Sequence, residues 1–357
     1  MSYITHIGTA NPENKFRQQE LAEFMVKVHG LSGDDASKLR ALYRATGIET
    51  RHSVIADFYQ ARYEFFPNTA DLEPFPTTEQ RMELYRSKAV ELSLAAIRNA
   101  GDIHSSRITH LISVSCTGMY APGLDVDLIK QLDLSTRVHR TCINFMGCYA
   151  AFSALKLADA FCKADANARV LVVCTELCSI HFQKEKTEDN LLANALFGDG
   201  SAALVVGNNP ISEKNFKIRS FYCDLLLNGE KDMAWSLGNF GFEMKLSSYV
   251  PAVLESGLSP CKDVLLRHQS VDYFVIHPGG KRILEVIEKE LGVTRGQNGH
   301  AFEVLRKYGN MSSPTILFVL KALQEKLRIE DNGKTILGMG FGPGLALESC
   351  LLESTIV

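Results

Sequence analysis

Short apolar runs of strand length alternate along this chain with segments of helical period, and that alternation leaves few architectures open. Ile108–Ser115, Val170–Cys174 and Ala202–Val206 read as strands buried on both faces, the last following the tight-turn dipeptide Asp199-Gly200. Ile218–Leu227, Tyr273–Ile276, Thr335–Met339 and Ala346–Leu352 continue the series. Between them the spacing predicts helices over Met82–Asn99, Cys148–Lys163, Lys281–Leu291 (closed by Gly292) and Pro314–Leu327. Strands and helices in alternation indicate a layered α/β protein. Phe58–Phe75, with its aromatics and prolines, reads as an excursion rather than core, and no low-complexity segment or Pro/Ser-rich linker divides the chain.

Laid over each other, the two halves show a pseudo-repeat of architecture rather than of residue identity. In the first, strand 108–115 ends at Thr117-Gly118, a helix opens at Cys148 and strand 169–174 follows. In the second, strand 273–276 ends at His277-Pro-Gly-Gly280, a turn at Tyr308-Gly-Asn310 opens a helix, and strand 335–339 follows. The expectation is two halves, 1–207 and 208–357, forming two similar layers that face each other. Cys148 and Asn310 then stand at equivalent helix starts and His277 at a strand end, where open α/β sheets place their chemistry.

The 357 residues are 46% hydrophobic and 22% charged, with a net charge of -3, so a disordered chain is excluded and the basic footprint of a nucleic-acid binder is missing. Apolar stretches are broken by charge too soon to span a bilayer, and the N-terminus lacks the basic and apolar regions of a signal peptide. The expected setting is soluble and cytoplasmic. Nine cysteines, an odd number with no CxxC, point to reduced buried thiols rather than a disulfide framework. Cys174, Cys178 and His181 form a C-x3-C-x2-H trio, but no second Cys/His pair lies nearby to complete a zinc site.

Three residues stand out for chemistry. Cys148, after Gly147 and at a helix start, is placed to feel the helix dipole, which favours a thiolate; taken alone it reads rather as a small core residue, and it needs a base. His277 follows an apolar strand and precedes a backbone-open turn. Asn310 could cap the next helix, with Pro314 in its first turn. Together, a thiol nucleophile with His and Asn donors suits acyl transfer, where a developing oxyanion or enolate needs neutral donors. The run Gly338-Met-Gly340-Phe-Gly342-Pro-Gly344 has no Lys-Ser/Thr after it, so it is no Walker loop and reads as a pocket wall. No GxGxxG, HExxH or EF-hand pattern occurs, so neither a nucleotide redox cofactor nor a metal is expected.

Seven blocks in order carry a resemblance: Ile7-Gly-Thr-Ala-Asn-Pro12, Phe145-Met-Gly-Cys148, Arg169-Val-Leu-Val-Val-Cys174, Ala195-Leu-Phe-Gly-Asp-Gly200, His277-Pro-Gly-Gly280, Tyr308-Gly-Asn-Met-Ser-Ser313 and Gly340-Phe-Gly-Pro-Gly344. On these the chain resembles the chalcone synthase superfamily, the type III polyketide synthases. The resemblance implies a duplicated thiolase-type αβαβα fold and a homodimer. It implies Cys148 as the nucleophile that holds the starter and growing chain as a thioester. It implies His277 and Asn310 as the pair that promote malonyl-CoA decarboxylation and stabilise the enolate, with His277 keeping Cys148 ionised. Phe197 matches one of two gatekeeper phenylalanines, and Gly340, Phe341, Gly342, Pro343 and Gly344 match the loop that scaffolds the cyclisation chamber. The substrates implied are free CoA thioesters, with no acyl carrier protein and no metal.

The departures concern the pocket. The second gatekeeper position holds Met244, with Phe242 close enough to compete for it, and Trp235 stands where plant members carry a glycine. Cys116, next to Thr117, replaces a threonine of the plant chamber; His181 and Ser312 are neighbouring wall positions, and Ala121 stands where a partner-subunit methionine enters. Of the basic residues that grip CoA phosphates only Lys38 matches by position, with Arg40 and Arg44 as nearby substitutes. These features and Thr46-Gly-Ile-Glu49 are more like bacterial than plant members. The expected reaction is decarboxylative condensation of an acyl-CoA starter with malonyl-CoA, then closure to a pyrone, resorcinol or phloroglucinol-type ring. A ketoacyl-ACP synthase III-like enzyme, a catalytically silent thiolase-fold acyl-CoA-binding protein and a Cys-His-Asn hydrolase are the alternatives that the residues leave open.

Overall fold

The computed structural model describes residues 1–60, 63–247, 249–266 and 270–357. Its first half contains β1 (Ser2–Ala10), β2 (Lys15–Arg17), α1 (Gln18–Val28), α2 (Gly33–Ala45), β3 (Thr50–His52), α3 (Thr78–Asn99), β4 (His110–Ser115), α4 (Leu124–Gln131), β5 (His139–Asn144), α5 (Ala150–Ala164), β6 (Arg169–Leu177), α6 (Glu188–Leu196) and β7 (Asp199–Gly207). The second contains β8 (Lys214–Leu225), β9 (Met233–Gly238), β10 (Gly241–Leu246), α7 (Val250–Leu266), β11 (Tyr273–Ile276), α8 (Lys281–Leu291), α9 (Arg295–Tyr308), α10 (Thr315–Lys326), β12 (Thr335–Gly342) and β13 (Ala346–Ile356).

Nine strands form one sheet in the order β11-β12-β13-β8-β1-β7-β6-β4-β5. The pairs β4·β5, β4·β6 and β11·β12 are parallel and the others antiparallel. The two half-sheets are joined at one place: Ser2–Ile4 of β1 pair with Phe216–Ile218 of β8, so they are hydrogen-bonded edge to edge. They still enclose a common helix layer. α5 packs on β4, β6 and β7 and reaches β13, while α10 packs on β11 and reaches β1 and β7. Their apolar faces, including Phe152, Leu155, Leu317 and Leu320, join the strands in one buried cluster. α3 covers the opposite face of β1, β6 and β7, and its start is fixed by the Thr77/Gln80 capping box. The layering is the αβαβα arrangement of the thiolase type.

Phe58–Phe75 is not an excursion from the core. Phe58, Phe66, Leu72 and Phe75 are buried, and Phe58 and Phe66 pack around Phe24 and Phe182. Its aromatics give this segment its own apolar area to hide, which its prolines and polar residues conceal in the sequence; residues 61 and 62 within it lie outside the described residues. All nine cysteines are free and seven are buried. Among the described residues, no helix is long and apolar enough to cross a membrane, and no group of three or more His, Cys, Asp or Glu is placed to hold a metal ion.

Candidate active site

Cys148 sits in the turn between β5 and α5. Two residues of that turn take left-handed backbone angles, Phe145 (φ 60°) and Gly147 (φ 83°). Gly147 is required twice over, because a Cβ there would also stand 2.4 Å from Pro343 Cδ. α5 begins at Ala150 rather than at Cys148, with the Ala150 N–H donating to the Gly147 carbonyl at 3.0 Å. The thiol is 7% exposed. Its Sγ lies 3.9 Å from Asn310 Nδ2 and 4.0 Å from Asn310 Oδ1. Burial pushes it up to about 11, against the pull of contacts with Ser312 and Asn310. The helix starts two residues later than the sequence suggests, and burial acts on the thiol against the helix dipole.

His277 closes β11, its N–H donating to the Met339 carbonyl at 2.8 Å, and the Gly279 N–H turns back to the His277 carbonyl at 3.0 Å. The ring is 2% exposed, and neither nitrogen has a hydrogen-bond partner. Burial lowers its pKa to about 3, so the imidazole is neutral at pH 7. Burial thus acts against the charged form of each of the two groups, Cys148 and His277. Asn310 is fixed by its backbone: its N–H donates to the Leu196 carbonyl, and its carbonyl accepts from the Gly198 N–H, both at 2.9 Å. Its Oδ1 accepts from the Ser312 N–H at 2.8 Å, which turns Nδ2 toward Cys148 and the Gly279 carbonyl.

These three side chains line a single cavity of about 510 Å³, together with Cys116, Thr117, His181, Phe197, Trp235, Met244, Ser312, Phe341 and Pro343. The wall is pinned by specific contacts. The Cys116 carbonyl accepts from Trp235 Nε1 at 2.8 Å, and Cys116 Sγ accepts from the Gly147 N–H at 2.9 Å. His181 Nδ1 accepts from the Phe242 N–H at 2.9 Å, which leaves Nε2–H to donate to the Thr117 carbonyl at 2.7 Å. Both nitrogens being engaged, His181 has none left for a metal. Its ring stacks on Phe242 at 4.2 Å, and Trp235 meets both rings edge-on. Phe242 and Met244 lie on one face of β10, and both reach the cavity; Phe242 is fully buried in that stack and Met244 is half-buried beside it. Gly340, Gly342 and Gly344 stand outside the lining: a Cβ at Gly342 would meet Tyr149 at 2.5 Å, so the run serves close packing of β12 on the start of α5.

Lys38, Arg40 and Arg44 are not part of the cavity wall. Arg40 is clamped by Glu23 through two hydrogen bonds, of 2.7 and 2.8 Å, and exposed Lys38 pairs with Asp35 at 3.2 Å. The basic residues that do border the cavity are buried Arg51 and, both exposed at the start of α8, Lys281 and Arg282, which share its rim with Glu188 and Asp189. A further residue escapes sequence reasoning. Glu176 on β6 is fully buried and accepts from the Cys116 N–H (2.9 Å), Thr117 Oγ1 (2.7 Å), Ser115 Oγ (3.3 Å) and Ser313 Oγ (2.6 Å). Burial pushes its carboxyl up, against those donors. It ties the Cys116 segment of the first half to Ser313 of the second. The available signal was one acidic residue ending the apolar run Arg169–Leu177.

Comparison with known proteins accords with this geometry. Residues 1–210 match the model of the N-terminal domain of chalcone and stilbene synthases, and residues 217–356 that of the C-terminal domain. A Mycobacterium tuberculosis protein described as alpha-pyrone synthesis polyketide synthase-like Pks18 is 30% identical, over 99% of this chain and 91% of its own length. Probable polyketide synthase 1 of Dictyostelium discoideum is also 30% identical over 99% of this chain, which spans only 12% of that longer protein. Among solved structures, the C-terminal type III polyketide synthase domain of Steely1 from Dictyostelium superposes with a TM-score of 0.90 at 30% identity, covering 100% of this chain and 99% of that one. PKS-I of the brown alga Ectocarpus siliculosus gives 0.91 at 29% identity, covering 99% and 98%. The chain belongs to the chalcone and stilbene synthase family and is a type III polyketide synthase.

Proposed function

We propose that this enzyme condenses an aliphatic acyl-CoA starter with malonyl-CoA on Cys148 and closes the product to a ring. The observation that carries the reading is one buried cavity holding a thiol, an imidazole with two unpartnered nitrogens and an oriented amide N–H. The starter acyl group passes from the CoA sulfur to Cys148 Sγ, releasing CoA, with neutral His277 as the base that accepts the thiol proton. Malonyl-CoA then loses carbon dioxide, and the electron pair of the broken C–C bond becomes an enolate. His277 N–H and Asn310 Nδ2–H are donors for its oxygen. The enolate carbon attacks the acyl carbonyl, and the Cys148 thiolate leaves. No metal, nucleotide or carrier protein enters these steps, in keeping with a family that acts on CoA thioesters.

Phe16, Leu21, Phe24, Met25, Phe58 and Phe182 line one limb of the cavity, which supports an aliphatic chain as the starter. Similarity to proteins named for alpha-pyrone synthesis favours pyrone closure over a resorcinol or phloroglucinol ring. Lys281 and Arg282 border the cavity and are the better-placed grip for CoA phosphates, ahead of Lys38, Arg40 and Arg44. A homodimer fits the exposed residues of edge strand β5, and a reducing cytoplasm fits nine free thiols. Mass spectrometry of products from purified enzyme, malonyl-CoA and acetyl-, medium-chain, long-chain and aromatic CoA starters tests the reading. Cyclised products from aliphatic starters are expected; release of free acids alone would make the enzyme a hydrolase.

A further inference from the structure

The aliphatic limb contains a polar group that the condensation does not use. Tyr43, on α2, is 1% exposed, forms part of the cavity wall, and its hydroxyl has no hydrogen-bond partner. Arg51 lies beside it, its guanidinium carbon 5.9 Å from the Tyr43 ring centre. Arg51 is committed elsewhere: Nε donates to Gln18 Oε1 at 2.9 Å, and Nη1 donates to the Phe197 carbonyl. A guanidinium has donors and no acceptor, so it cannot take the phenolic proton. Burial holds the phenol protonated, pushing it up to about 12 against the opposing pull of the Arg51 guanidinium. A buried donor of this kind, set in the wall of a cavity whose other lining is Phe16, Leu21, Phe24 and Leu42, is satisfied only by something that enters the cavity.

We propose that Tyr43 donates a hydrogen bond to a neutral oxygen (hydroxyl, ether or keto) carried on the aliphatic chain of the starter, so that this limb selects oxygenated over plain acyl-CoA thioesters. The inference rests on the synthase reading above. A neutral oxygen is the fit because a carboxylate would have to shed its water among phenylalanines, next to an arginine whose bonded donors already serve Gln18 and Phe197. A site built to bond a substrate oxygen discriminates against the chain that lacks it, because the donor is then left unpaired.

The test compares wild type with Tyr43→Phe, which keeps the ring and removes only the hydroxyl. kcat/KM is measured with malonyl-CoA and either decanoyl-CoA or a series of decanoyl-CoA isomers hydroxylated at successive carbons. Wild type is expected to prefer one isomer over the plain chain by about tenfold, and Tyr43→Phe to lose that preference. The unliganded Tyr43→Phe protein is expected to melt no lower than wild type, since it gives up a hydroxyl that bonds to nothing. Equal preference ratios in the two proteins, rejection of every hydroxylated isomer, or a lower melting temperature for Tyr43→Phe would each overturn the proposal; the last would mean that the hydroxyl is already bonded, by an internal water for example. In all three cases extension of decanoyl-CoA leaves the synthase reading standing. If neither protein extends any starter, that reading fails and the selectivity fails with it.

Discussion

On the Cys148 thiol two influences compete, and their ranking follows from position. A helix dipole acts within the first turn and stabilises a thiolate modestly. Burial at 7% exposure opposes ionisation more strongly and pushes the thiol to about 11, while His277, held near 3, carries no positive charge at neutral pH to offset it. Below its pKa the thiolate fraction falls about tenfold for each pH unit. Alkylation of Cys148 by iodoacetamide in the unliganded enzyme, followed on its own peptide because Cys142 and Cys223 are exposed, should therefore rise steadily from pH 6.5 to 9.5. A plateau across that range would reveal a standing thiolate–imidazolium pair and contradict the neutral site. Cys148, His277 and Asn310 are legible in the sequence because each sits at a strand end or turn whose backbone signals are strong. Glu176 is not, because a single carboxylate in a strand gives no sign of four donors brought to it from 115–117 and 313.

Among the elements, the β9–β10 hairpin sets the chamber's shape. Its register places Trp235 opposite Met244, and the indole is held by the Cys116 carbonyl and by the edges of His181 and Phe242. Trp235→Ala should lower stability by about 3 kcal/mol through the void it leaves. It should also shift products toward more malonyl units or a bulkier starter, read by mass spectrometry alongside a melting curve. An unchanged product distribution would remove Trp235 from the determinants of chain length. This hairpin is illegible in the sequence because its strands are short and carry Gly238 and Gly241 at their ends. The central strand β1 is hidden for another reason: its burial follows no period of two, since it pairs with β7 and β8 and is covered on both faces. The strands with continuous apolar runs, β6 and β7, are the ones the sequence declares.

Across the whole molecule, the halves contribute different chemistry to one cavity. The first supplies Cys148, and the second supplies His277 and Asn310. The join is covalently remote but tightly bonded, through the Phe197–Asn310 backbone bridge and the Glu176–Ser313 hydrogen bond at 2.6 Å. The duplication is visible in the sequence, but the edge pairing of β1 with β8 is not, because three-residue contacts between distant segments leave no periodic trace. The division of labour makes loading and decarboxylation separable. The measurement that tests it is intact-protein mass spectrometry with peptide mapping, on wild type and Asn310→Ala, with decanoyl-CoA followed by malonyl-CoA. Both proteins should gain one decanoyl group on the Cys148 peptide, which malonyl-CoA discharges with loss of carbon dioxide from wild type and not from Asn310→Ala. An acyl group mapped to any other residue, or equal discharge from both proteins, would contradict the account.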